Sequence, residues 1–470
     1  MKLNRWVIAA AIAGTQTTGY DVRADETSDT VNNLRQQIEQ LDQKLRVLER
    51  KGELEKEGGT EKAKTAPIVS LGASGFQVRS ADSNFVFRAR GYVQVDARFY
   101  PEPVPGALLQ DSFLIRRARP IFEGTVFDKF DYRVMLDFGA QATLSTANNA
   151  LVQDAYVTGK LWPELQFVSG KMKEPVGLER LQSGANLLFI ERGYPTQLAP
   201  NRDVGFGIQG DLIGGRLSYA VGGFNGVADG GSGDFDTSDS DKDVAARLFT
   251  HPFKTSDIEA LKGFGIGVAG TYGNREGALR SYLSQGLQRT FAYRTGVGTN
   301  AATANVVGDG TNWRISPQGY YYWGPFGLFG EYIISSQEVR RDAGGLPTRA
   351  RLENSAWQVA ASYFLTGEEN SYRAVTPKRS FSLADGGWGA WEIAARMGQL
   401  DVDDDAFPLF ANPAGSATRS TSYGIGLNWH LNRNIKVSAG YDYTRFDADP
   451  GTTFADGSEH VAAARVQFGW

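Results

Sequence analysis

The 470-residue chain contains no cysteine and only three histidines, His251, His430 and His460. Without cysteine there is no disulfide framework and no thiolate metal site. Three scattered histidines do not supply a zinc centre, and no residue is assigned to a metal, a cofactor or a catalytic step. The chain also lacks an uninterrupted apolar run of eighteen residues, which excludes a helical membrane span. The net charge is -4, so the charge balance gives no reason to expect nucleic acid as a partner.

Glycine (56 residues) and aromatics (12%) are abundant. The N-terminus carries Lys2 and Arg5, then the short apolar stretch 6–14, then Val22-Arg23-Ala24. A basic start, an apolar centre too short to span a bilayer and small-residue character at a cleavage point predict a secretory signal over 1–24. Residues 25–66 differ from everything after them. Val31, Leu34, Ile38, Leu41, Leu45 and Leu48 are spaced three and four apart, and most positions between are charged or amide. That seam predicts a short coiled coil, which associates with copies of itself better than it packs on a globular core. Residues 57–66, rich in Gly, Lys and Glu, read as a linker.

From residue 85 the period becomes two. Over 85–100, Phe85, Phe87, Val93, Val95 and Phe99 alternate with Arg88, Arg90, Gln94, Asp96 and Arg98. Sixteen residues is long for a strand of a soluble sandwich and suits a strand that crosses a bilayer and extends beyond it. The same alternation recurs at 132–138, 420–429 and 435–444. A continuous apolar outer face of this length belongs in lipid.

Connection lengths alternate as well. Short turns fall near Asp128-Lys129, Trp162-Pro163-Glu164, Gly214-Gly215, Gly324-Pro325-Phe326 and Asn432-Arg433. Between them lie polar loops at 101–112, 139–150, 174–203, 226–242, 274–311, 340–353, 401–418 and 448–458. Segments 252–262 and 366–388 are longer than hairpin turns. Short turns on one side and long loops on the other are the outer-membrane pattern. The count predicts an all-β fold over 67–470, a transmembrane antiparallel β-barrel of sixteen strands, with the helical coiled coil ahead of it in the periplasm. The last residues, 465–470, alternate and finish on Trp470, which resembles the signal read by the barrel-assembly machinery.

Within the barrel, Arg greatly outnumbers Lys. Arg88, Arg90, Arg98, Arg133 and Arg247 fall on the predicted inner face. Arg117 and Arg119 share a face with Glu123, while strict alternation turns Arg116 outward unless a local bulge brings it in. Guanidinium stays charged and binds oxyanions with paired donors, and rings of such cations select anions in pores. The alternative is that these arginines pair with acidic groups on neighbouring strands. Loop 174–203 is long enough to fold into the lumen, and Lys171, Lys173, Arg180, Arg192 and Arg202 make its surroundings basic.

Four segments, 113–139, 152–183, 316–332 and 386–408, resemble the phosphate-selective porin O/P family, and the likeness extends over 75–470. The resemblance implies a homotrimer of sixteen-stranded barrels, each with an infolded third loop, an arginine ladder and a constriction. By motif, the constriction would comprise the pair Arg116 and Arg117, the acidic partner Asp154, and Arg180 and Ser183 of the loop; Arg119, Lys171 and Lys173 complete the expected set. Family members often carry Lys at the position of Arg180, an aromatic at Arg119 and a second Ser at Gly184. The ladder would draw on Arg275, Arg280, Arg289, Arg294 and Arg314. The long turn 366–388, with Arg373, Lys378 and Arg379, resembles the family's inward-folded periplasmic turn. The expected function is passive diffusion of phosphate or polyphosphate across the outer membrane. The alternatives are a weakly selective general porin and a structural protein anchored through its coiled coil. A barrel lipase would need a Ser–His pair, whereas His251 and His430 read as girdle or lumen residues.

Overall fold

The computed structural model describes residues 24–102, 110–139, 151–235, 240–296, 305–342, 347–450 and 456–470, with the side chains of 24–28 and 57–65 left aside. The expected signal segment therefore lies outside the described residues up to position 23. The chain divides into two units, 1–66 and 67–470.

The first unit is one helix, α1 (Ala24–Thr65). It continues through the stretch expected to be a linker. Gly58 and Gly59 each cost about 1 kcal/mol in a helix, but the surrounding Glu, Lys and Ala residues are strong helix formers. The seam residues Val31, Leu34, Ile38, Leu41, Leu45 and Leu48 are all exposed on the single chain.

The second unit begins with a hairpin that the period-two reading did not anticipate, β1 (Ile68–Gly72) and β2 (Gly75–Arg79). The barrel follows. Its first half is β3 (Val86–Phe99), β4 (Ser112–Val126), β5 (Phe130–Asp137), β6 (Leu151–Trp162), β7 (Leu165–Lys173), β8 (Arg202–Leu212), β9 (Leu217–Phe224) and β10 (Asp243–Thr250). The second half is β11 (Phe264–Ala278), β14 (Val306–Trp323), β15 (Phe326–Arg341), β16 (Thr348–Phe364), β17 (Ala390–Asp401), β18 (Ala417–His430), β19 (Ile435–Ala448) and β20 (Gly457–Gly469). A small hairpin, β12 (Tyr282–Leu283) and β13 (Arg289–Phe291), sits in the connection after β11. Among the described residues there are also three one-turn α-helices, α2 (Leu178–Leu181), α3 (Pro195–Leu198) and α4 (Glu259–Lys262), and one 3-10 turn (Asp404–Ala406).

Every barrel pair is antiparallel, and β20 returns to pair with β3, which closes sixteen strands of the eighteen-stranded sheet. Closure satisfies the backbone without an edge, as lipid requires. The edge of β3 is shared: β20 takes its upper part, Tyr92 to Phe99, and β2 its lower part, Val86 to Ala89. Trp470 closes the junction through paired backbone hydrogen bonds with Gly91, each 3.1 Å. A Cβ at Gly91 would lie 2.6 Å from the Trp470 ring, so only glycine fits there.

The alternation sorts side chains as expected. On β3, Gln94, Asp96 and Arg98 are buried inward while Phe87, Val95 and Phe99 are exposed outward. On β18, Ser420, Ser422 and Asn428 face in and Tyr423, Ile425 and Leu427 face out. Strand lengths are uneven. β5, β9 and β10 have 8 residues each, whereas β14, β15 and β16 have 18, 16 and 17. The long strands absorb the ends of the loops expected at 274–311 and 340–353. Their inward residues Val339 and Leu352 stay buried while Glu338 and Arg351 pair on the outer face.

Candidate functional site

The connection between β7 and β8, residues 174–201, folds into the lumen. Its backbone is fastened to the wall by polar side chains. The carbonyl of Gly184 accepts from Gln94 (2.9 Å), that of Ala185 from Gln467 (3.1 Å) and that of Leu187 from Lys436 (2.9 Å). Farther on, Leu188 O accepts from Asn428 (2.9 Å), Ile190 O from Arg465 (2.7 Å) and Glu191 O from Arg396 (2.8 Å). The opposite end is held by Glu331, which accepts from the backbone N–H groups of Leu178 (2.6 Å) and Glu179 (3.2 Å). The long turn between β16 and β17 reaches in from the other side, and Tyr372 donates its hydroxyl to Leu178 O at 2.5 Å. Apolar residues of the loop (Val176, Tyr194 and Leu198) pack with Tyr282, Phe291, Ile333 and Phe410. Much of the lumen on the β14–β18 side is therefore filled.

Open space remains along β3–β8. Two cavities of about 350 and 360 Å³ share Arg133, Tyr156, Thr158 and Gln209 and so adjoin one another. The 350 Å³ cavity is lined by Arg119, Arg133, Lys173 and Arg202, with Asp154 as the one carboxylate among the described lining residues. Asp154 accepts from Arg133 (3.0 Å) and Arg202 (2.8 Å). Arg119 pairs with Asp137 at 2.7 Å and donates to the Tyr92 hydroxyl at 3.0 Å. Ser183 and Gly184 also line the cavity.

Three cations of this region rest on backbone oxygens. Lys173 donates to Leu181 O (3.1 Å) and Gln182 O (2.8 Å). Arg192 donates to Glu179 O (3.1 Å) and to the same Gln182 O (2.8 Å). Arg180 donates to Thr196 O and, at 3.5 Å, to Ala199 O. None of the three forms a salt bridge among the described residues. Carboxylates act on them only from beyond contact distance: Asp154 on Lys173, Glu179 on Arg192, and Glu331 and Glu179 on Arg180.

Arg116 enters the lumen through a bulge. The β3–β4 register passes from Gln94↔Arg117 to Val95↔Ile115, which leaves Arg116 as the extra residue. Its guanidinium makes a two-point contact with Glu191, 2.7 and 3.1 Å. Arg98 (2.6 Å), Arg465 (3.4 Å) and Arg117 (3.7 Å) approach the same carboxylate. Burial alone would raise the Glu191 carboxyl, but Arg116, Arg98, Arg117 and Arg465 outweigh it and hold it well below the ordinary carboxylate range.

The model matching this chain is that of the phosphate-selective porins O and P, over residues 87–470. The chain belongs to that family. It is thereby an outer-membrane channel protein for anions, with no enzymatic role. This porin is 23% identical to Porin O of Pseudomonas aeruginosa over 409 residues, 83% of this chain and 90% of that protein. Its fold is similar to that of the outer-membrane channel DcaP of Acinetobacter baumannii, with a TM-score of 0.52 and 13% identity, over 84% of this chain and 100% of that one. An anion-selective porin from Comamonas acidovorans superposes at a TM-score of 0.49 with 10% identity, over 82% of this chain and 100% of that one.

The remaining expected residues of this porin divide. Arg180 does not join Arg116 and Arg117, because its donors are taken up inside the loop by Thr196 and Ala199. Lys171 pairs with Asp234 away from the cavity. Arg88 and Arg90 pair with Glu123 and, for Arg88, Gln77. Arg247 bonds to Gln318 and stacks on Phe249. Of the ladder, Arg314 is a buried wall residue paired with Asp229 at 2.7 Å, and Arg294 donates to Pro408 O and Ala411 O. Arg275 and Arg280 line an outer cavity of about 230 Å³, while Arg289 lies exposed on β13. In the long turn, Arg373 lines a chamber beneath the loop, and Lys378 and Arg379 are taken up by Gly367 O and Asp385 O. Arg192 and Arg202 were visible in the sequence only as part of a basic loop, and Glu191 and Arg465 not at all. Their meeting depends on where the loop turns, and no local pattern encodes that.

Proposed function

We propose that this porin passes small oxyanions, phosphate or polyphosphate, along the β3–β8 wall, and that Lys173, Arg192, Arg202 and Arg119 form the binding region. The observation that carries this reading is the pair Lys173 and Arg192, converging on one carbonyl oxygen with no carboxylate partner among the described residues. An oxyanion beside them gains charge-assisted hydrogen bonds as it sheds water. The carbonyls already hold part of each donor's capacity, which keeps affinity modest and lets the ion leave, as conduction requires. Arg275 and Arg280 sit at the outer approach and attract anions toward it.

The weakly selective alternative draws on a specific observation: Arg98, Arg116, Arg133 and Arg314 are already paired with carboxylates. Planar-bilayer recording separates the two readings. Phosphate selection requires that millimolar or lower phosphate block the chloride current, with a reversal potential set by anions. Chloride current that is indifferent to phosphate overturns it.

The same reading covers assembly. The exposed seam of α1 supports a three-chain coiled coil, and the attachment of β1 and β2 on the short-turn side supports placing it in the periplasm. The protein is then a homotrimer in outer-membrane lipid, with Trp470 at the end of the strand offered to the barrel-assembly machinery.

A further inference from the structure

The 350 Å³ cavity has two kinds of wall. One is the set of cations already described; the other is Tyr156, Val168, Met172 and Leu181. Tyr156 and Val168 are half-buried and pack on the core cluster that holds Met172, so this apolar shelf is fixed to the barrel. Register explains why the Tyr156 ring is open. Its partner across β6–β7 is Gly170, where a Cβ would lie 2.2 Å from Ala155 O and 2.8 Å from Tyr156 Cα. No side chain can stand there, and the ring stacks on no other ring among the described residues. The Tyr156 and Thr158 hydroxyls likewise have no hydrogen-bond partner among the described residues, and both side chains line both cavities.

A bare inorganic oxyanion uses only the cationic wall. Against the shelf it would lose water and gain no hydrogen bond in exchange. An oxyanion that carries a compact apolar group uses both walls: its oxygens meet the cations and its carbon surface covers the shelf. We infer that the preferred ligands of this cavity are organic phosphates, monoesters or phosphonates with a small apolar or aromatic group, seated with that group on Tyr156, Val168 and Leu181. The inference rests on the reading of Lys173 and its neighbours as an oxyanion site, and it names the class of ligand. The open hydroxyls of Tyr156 and Thr158 can bond to a hydroxyl or amide on that group without adding charge.

The test compares three probes for block of the chloride current: inorganic phosphate, methyl phosphate and phenyl phosphate, at about pH 8, where all are mostly dianions. The probes then share their charge and differ in apolar surface. Phenyl phosphate should half-block at a concentration about tenfold lower than inorganic phosphate, with methyl phosphate between them. Equal or weaker block by phenyl phosphate overturns the inference. Tyr156→Ser and Val168→Ser each remove part of the shelf, and the ratio of the phenyl to the inorganic value should move toward one. A ratio that both variants leave at the wild-type value means that the ring binds elsewhere, and also overturns it. Leu181→Asn, in the loop and not on a strand, is read in the same way should the strand variants fail to assemble. The two readings fail separately. Inorganic phosphate that leaves the current untouched while phenyl phosphate blocks it sinks the inorganic-phosphate reading and keeps this one. Block by inorganic phosphate with no gain from the phenyl group sinks only this one, and no block by any probe sinks both.

Discussion

Lys173 and Arg192 donate to a single acceptor, the carbonyl oxygen of Gln182, each at 2.8 Å. Their nitrogens are therefore at most about 5.6 Å apart. Two unit charges at that separation repel by roughly 3 kcal/mol at an effective dielectric of about 20. An anion placed between them removes that repulsion.

Neutralising either cation should weaken phosphate binding by the worth of a charge-assisted hydrogen bond, about 1.5–3 kcal/mol. Lys173→Gln and Arg192→Gln should each raise the half-blocking phosphate concentration by roughly tenfold to hundredfold in bilayer recordings. Wild-type block in both variants would remove this pair from the ion's path.

Arg180 should behave differently. Arg180→Ala strips donors from Thr196 O and Ala199 O inside the loop, so its main effect should be lower stability, about 1–3 kcal/mol. The temperature at which the folded form is lost on heat-modifiability gels should fall, and phosphate block should change less than in Lys173→Gln. The reverse ranking would place Arg180 in the conduction path after all.

The pH dependence follows from Glu191. Its folded carboxyl titrates well below the unfolded value, so the stability it contributes is fully present above the unfolded pKa, near 4.3, and is lost only as pH falls through the lower folded value. Lowering the pH from 7 to about 4.5 should leave the Glu191 end of the loop in place. With Glu331, which fastens the other end, replaced by Gln in every sample, the single-channel noise should stay flat over that range, and flicker there would mean that Glu191 is not held ionised by its arginines.

Deletion of 25–60 should leave conductance and phosphate block intact while lowering trimer stability, because a coiled coil acts through association. Cross-linking and gel mobility after graded heating report this directly. A changed ion preference in the truncated protein would mean that the helix reaches the pore.

The barrel could be read from sequence because its code is local. Alternation over 85–100 and 420–429 assigns each side chain to lipid or lumen one residue at a time. Short turns such as Asn432-Arg433 announce themselves by composition. Alternation could not place Arg116, Arg117 and Arg119 together, which left a bulge as one option for Arg116 and an outward side chain as the other. Hairpin β1–β2 escaped because its strands are five residues each and only β2 joins the barrel, at the lower edge of β3. The site was less legible. Arg180 and Arg192 sit in one loop with the same side chain, yet one is absorbed by Thr196 and the other turns toward Lys173. That difference is set by contacts with Glu331, Gln358 and Tyr372, up to 194 residues away in sequence.

The uneven strands give the wall uneven height. With about 3.4 Å per residue and a tilt of about 45°, an eight-residue strand rises roughly 19 Å and a seventeen-residue strand roughly 40 Å. The rim is thus low around β5, β9 and β10 and stands well above the lipid headgroups at β14–β16. The mouth is canted. On the tall side Arg349 and Arg351 are paired with Asp309 and Glu338, and the open space lies toward the low side. The low flank falls short of the apolar band of about 25 Å that outer-membrane barrels present, so leaving it bare would force the surrounding bilayer to thin. Covering it with a neighbouring barrel would spare the membrane that distortion.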